Sequence, residues 1–170
     1  MNLTDMQFPR QLEADRDPEA IRRVLMEHTA KLWGGGDLSV PVIALSDPLK
    51  SALRAAVVKG QVRYGFEGIA GKLKHEGAGI TSVRERQESP YGERISRLIL
   101  FSNDGAERLY RHVEQLLRFH APRLLGCLLD ADSGVLGKLI TGKDQQIKVV
   151  MAEHKDAVSG ILRAIMAAHG

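Results

Sequence analysis

Asp130 and Asp132 stand one residue apart at the end of the apolar run LLGCLLD (124–130), with Ser133 directly after them. Two carboxylates delivered at the end of a buried strand have the chemistry to hold a divalent cation, or to supply a nucleophile and a proton carrier. The same residues also suit a plain reversal of the chain, because Asp132, Ser133 and Gly134 are favoured turn formers. The turn role stands ahead, so no catalytic set is assigned; Asp130 and Asp132 are the residues a catalytic reading would use.

The segment Leu128-Leu129-Asp130-Ala131-Asp132-Ser133 resembles the opening motif of the haloacid dehalogenase phosphotransferases, an apolar strand ending in D-x-D. The resemblance implies Asp130 as nucleophile, Asp132 as general acid/base and magnesium beside them. It covers six residues, and about 40 follow it, too few for the strands that carry that family's lysine and second acidic pair. It leaves an alternative reading, a small metal-dependent phosphohydrolase-like enzyme, and only there is a cofactor, magnesium, expected.

Gly137 to Lys143 matches the G-x-x-x-x-G-K spacing of a phosphate-binding loop. That loop must follow a strand and open a helix, with Ser or Thr next for magnesium. Here Asp144 comes next and the loop interior, Leu139 and Ile140, is apolar, so a hairpin turn is the expected role. His112 and His120 lie two turns apart on one predicted helix, about 12 Å along its axis, too far for one metal. No metal site is expected. Cys127, the lone cysteine, reads as a small buried hydrophobe and suits a reducing compartment.

The densest basic feature is a set of arginines: Arg84, Arg86, Arg94 and Arg97, continued by Arg108 and Arg111. The net charge of +3 is unevenly spread, since residues 50–123 hold 14 basic and 8 acidic side chains. Such a middle attracts anions. The leading functional expectation is therefore a non-catalytic binding or adaptor protein, with those arginines on an anionic partner such as RNA. Interleaved Glu85, Glu88 and Glu93 weigh against it, as does the low aromatic content.

The elements that must position these residues follow from periodicity. Residues 1–16 read as a mobile arm and 17–170 as one α/β domain, mainly helical over 17–75 and sheet-centred over 79–170. Asp17-Pro18 opens a helix expected to run to Gly34, with His28 on its apolar stripe. VPVIAL (40–45) reads as a strand, Ser46-Asp47-Pro48 as the cap of a second helix, and 61–79 as a glycine-weakened third. Segments 80–86 and 94–102 flank Ser89-Pro90-Tyr91-Gly92 and predict a central β-hairpin. Asp104 and Glu107 predict a capping box for the next helix, and 124–130 a strand covered on both faces. Segments 135–141 and 147–152 read as two more strands, with a final helix from about 154. The expected architecture is a mixed, mostly parallel sheet flanked by helices and ending in a β-α-β-β-β-α unit.

If strands 95–102, 124–130 and 147–152 ran parallel, their carboxyl ends would gather Ser102, Asn103, Asp104, Asp130, Asp132, Glu153 and His154 at one edge, where ligands of open α/β sheets bind. A third expectation is structural self-association, giving a homo-oligomer through Trp33 and the glycine-spaced 64–73 face. No run of eighteen apolar residues is present and the N-terminus lacks a signal-like segment, so no membrane contact and a cytoplasmic location are expected.

Overall fold

The computed structural model describes the backbone of residues 6–87 and 94–169 and the side chains of 6–78 and 94–169. The elements run α1 (Arg10–Glu13), α2 (Pro18–Glu27), β1 (Thr29–Lys31), β2 (Ser39–Ile43), α3 (Asp47–Val58), β3 (Val62–Tyr64) and α4 (Phe66–Gln87). They continue with β4 (Arg97–Phe101), α5 (Glu107–Phe119), β5 (Leu124–Leu129), α6 (Ser133–Thr141), β6 (Val149–Ala152) and α7 (Lys155–His169). Among the described residues one six-stranded sheet has the order β1-β2-β5-β4-β6-β3. Strands β2, β5 and β4 are parallel neighbours, while β1, β6 and β3 join antiparallel. This is an α/β fold with a mixed sheet between two helical layers.

The period-two alternation of strands sorts the core. In β4, Leu98 and Leu100 join one cluster with α2, α3, α6 and α7, whereas Ile99 and Phe101 join the other with α4 and α5. Strand β5 follows suit and is buried almost throughout, as its apolar run requires. Gly126 lets α5 settle there: a Cβ would sit 2.6 Å from a methyl of Leu117. Among the described residues no helix is long and apolar enough to cross a membrane.

Several expectations are corrected. The central β-hairpin is absent, because residues 80–87 continue α4, whose buried Ile69 and Leu73 sit one helical turn apart. The turn residues 88–93 lie outside the described residues. Residues 135–141 form α6, not a strand. The Asp132 carboxylate accepts from the Val135 amide at 2.8 Å and opens the helix, and Gly142, in the left-handed region at φ 73°, closes it. The phosphate-loop spacing is thus a helix interior and its C-cap rather than a hairpin. After α6 the chain climbs back beside it, and Gly137 allows this, since a Cβ there would collide with the Gln145 carbonyl. Strand β6 therefore starts at the edge where β4 and β5 end, so it is antiparallel to β4 rather than parallel to β5.

The N-terminal segment is docked from residue 6: Met6, Phe8 and Leu12 are buried, and the Ile95 amide donates to the Gln7 carbonyl. Helix α2 ends at Glu27, and His28 is exposed rather than on the buried stripe. The N-cap of α5 is Ala106, without a side-chain cap, because Asp104 is engaged elsewhere. The sheet draws β1, β2 and β3 from the half expected to be mainly helical.

Candidate functional site

Three parallel strands end together, and two of the expected residue groups meet there. The connection after β4 enters α5 on one face of the sheet, and the one after β5 enters α6 on the other. Strands β4 and β5 thus flank a point where the winding reverses, the usual ligand crevice of such sheets. In this protein the polar groups at that point bond to one another. The Asn103 amide nitrogen donates to the Ala131 carbonyl at 2.9 Å, and its side chain reaches Asp130 at 3.4 Å. Asp104 accepts from both the amide and the hydroxyl of Ser133, at 3.0 and 2.7 Å.

Desolvation works against the charge of Asp104, yet the hydrogen-bonding groups around it, those of Ser133 foremost, together outweigh it and hold the carboxyl below the ordinary range. The buried Ser102 hydroxyl also favours the charged form of Asp104, although it meets no partner at hydrogen-bonding geometry. Tyr110 pins the loop from the α5 side, donating to the Ser102 carbonyl at 2.7 Å and accepting from the Gly105 amide. Burial pushes the Tyr110 phenol up.

Ser102, Asn103, Asp104, Asp130 and Asp132 are therefore brought together, as expected. Glu153 and His154 are not, because β6 carries them to the opposite edge. There Glu153 accepts from Arg63 at 2.8 Å, and the His154 ring accepts from the Asp156 amide in the first turn of α7. Asp132 serves as a helix cap and Asp130 faces Asn103. Among the described residues no group of three or more His, Cys, Asp or Glu side chains is arranged to hold a metal ion. Burial pushes the Cys127 thiol up to about 12, which leaves it an inert core residue.

The arginines divide into two kinds. Arg94 is structural: it donates to the Phe8 carbonyl at 2.8 Å and to Glu13 at 3.0 Å, tying the N-terminal segment to the chain before β4. Arg97 donates to Glu76 at 2.9 Å, and the buried Arg123 joins the same carboxylate at 3.2 Å. Burial penalises the Glu76 charge, but the two guanidiniums outweigh it and hold the carboxyl low. Arg84 and Arg86 belong to α4, with side chains outside the described residues.

Arg108 and Arg111 differ, because both project outward from α5. With Gln115 and Arg118 they form one exposed stripe at helical spacing, spanning about 15 Å. The Arg111 guanidinium lies over the Trp33 ring, 4.7 Å from its centroid, and pairs loosely with Glu107 at 3.5 Å. Trp33 is itself held by α5, donating to the buried Glu114 at 3.2 Å. Lys74 of α4 is exposed, and Lys72 is half-exposed with its ammonium 3.9 Å from Glu76. Phe119, next to Arg118, is 81% exposed.

Arg118, Lys72 and Lys74 were not among the expected partner-binding residues. The signal for Arg118 was the i, i+3, i+7, i+10 recurrence of Arg108, Arg111, Gln115 and Arg118 opposite the apolar stripe of α5; the two lysines had none. No protein-family model matches the chain, and no curated protein matches it.

Proposed function

We propose that this chain is a non-catalytic binding protein whose α4–α5 face takes an anionic polymer, with single-stranded RNA as the partner. The observation that carries the reading is the α5 stripe of Arg108, Arg111 and Arg118, whose guanidiniums face outward rather than being spent on internal carboxylates. Lys74 adds to the positive charge of these two helices, against exposed Glu67 and Glu107, while Lys72 faces Glu76. Guanidiniums along one ridge suit successive phosphates, and the open ring of Phe119 is a platform on which an unpaired base can stack. The Trp33 ring beneath Arg111 restricts that side chain, so less freedom is lost on binding. Arg94 and Arg97 are left out of the interface, because both are committed to the fold.

The test is fluorescence anisotropy with a labelled single-stranded RNA at low salt. The triple variant Arg108→Gln, Arg111→Gln, Arg118→Gln should bind at least about tenfold more weakly, with an unchanged thermal midpoint. Equal affinity of the triple variant and the parent would remove the proposal, and so would no binding by the parent.

A further inference from the structure

On the side of the sheet opposite α5, a cleft of about 720 Å³ opens between α3 and α6 at the carboxyl edge of β2 and β5. Its size falls within the roughly 300–1,000 Å³ usual for small-molecule sites. Lys50 and Arg54 project into it from one turn of α3, and Lys138 from α6. Among the described residues these three cations make one ion pair, a loose one from Lys138 to Asp144, 3.9 Å apart with both side chains well exposed. Exposed pairs of this kind contribute little and exchange readily for a better anion.

Two carboxylates line the cleft, so its own balance is one positive charge. Asp132, however, is already directed at the Val135 amide. Leu45 and Leu139 supply an apolar wall, and Gln145 and Gln146 supply amides that match hydroxyl or carbonyl groups. The first turn of α6 borders the same space, and its dipole adds to the positive potential.

We infer that the α3–α6 cleft is a binding site for a small phosphate ester, with Lys50, Arg54 and Lys138 on the phosphate and the organic body against Leu45 and Leu139. Three cations from two facing helices are more than a carboxylate needs and suit a dianion. A cleft between two helices suits a small molecule, where the exposed α5 ridge suits a polymer. The site is separate from that ridge, since α3 and α6 lie on one face of the sheet and α5 on the other.

The experiment is an amide NMR titration of the full chain with inorganic phosphate, ribose 5-phosphate and adenosine 5′-monophosphate at millimolar concentration. At least one ester should shift the amides around Lys50, Arg54 and Lys138 and bind more tightly than inorganic phosphate. Lys50→Gln/Arg54→Gln should weaken that ester about tenfold or more. Arg108→Gln, on the opposite face, should leave it unchanged and serves as the control for a general charge effect. If none of the three probes shifts these amides, or inorganic phosphate binds as tightly as both esters, the inference fails. It fails also if the double variant binds like the parent while retaining its thermal midpoint. None of these outcomes depends on RNA binding.

Discussion

Glu76 receives Arg97 and the nearly buried Arg123, and Arg123 also donates to the Leu73 carbonyl at 3.1 Å. One carboxylate thereby ties α4 to the starts of β4 and β5. Glu76→Gln keeps the shape but strands a buried guanidinium, and should destabilise the fold by about 3 kcal/mol in urea unfolding at neutral pH. The pH dependence has two parts. The Glu76 carboxyl is held below its ordinary 4.5, so its contribution is present above that value and lost as pH falls through the lower, folded one.

His120 is held below 6.5 by burial and by the neighbouring Arg123, with Glu76 opposing. The folded state keeps His120 neutral while the unfolded chain takes up a proton, so stability begins to fall as pH drops through 6.5. Urea midpoints should therefore decline from neutral to mildly acid pH, and His120→Gln should flatten that segment alone. An equally steep decline in His120→Gln would place its cause elsewhere.

At the scale of elements, two glycines in helices should respond in opposite ways. Gly71 lies on the exposed side of α4, and a Cβ there meets nothing among the described residues. Gly71→Ala should stabilise the protein by about 0.5–1 kcal/mol through helix propensity. Gly137→Ala forces apart α6 and the returning Gln145 segment, and should destabilise by more than 2 kcal/mol, roughly the scale of core overpacking. Thermal midpoints of the two variants decide both, and similar shifts would mean the return path beside α6 is wrong.

The same element shows what could be read in the sequence and what could not. The β4–α5–β5 crossover was legible, because RLILF and LLGCLL are too apolar to be half-exposed and α5 has a clean helical stripe. Asp132 and Gly142 stood out only as turn residues, whereas they are the caps of α6. The Val, Ile and Thr content of VLGKLIT suggested a strand, and the packing of Leu136 and Ile140 overrode that local preference. In 80–87 the length of an already started helix overrode the turn chemistry that follows it. The direction of β6 could not be read, since it depends on the chain returning beside α6, a tertiary contact.

For the whole molecule, the chain from Met6 is part of the core. Deleting residues 1–9 removes the buried Met6 and Phe8 and the backbone pairing to Ile95. The truncated chain should lose several kcal/mol and show a lower urea midpoint; a mobile arm would leave the midpoint unchanged. The strand-end residues of β4 and β5 were placed together by the parallel reading, and the antiparallel β6 removed Glu153 and His154. What the sequence could not indicate was that these strand-end groups bond to one another. The proposed binding therefore rests on the helical surfaces, above all on the α5 ridge.

The salt dependence of RNA affinity tests that ridge most directly. Each phosphate neutralised on a single strand should add about −0.7 to the slope of log affinity against log salt. The parent should show a slope of about −2 or steeper, and removing Arg108, Arg111 and Arg118 one at a time should make it progressively shallower. A slope near zero in the parent, or one that the three substitutions leave unchanged, would contradict the account.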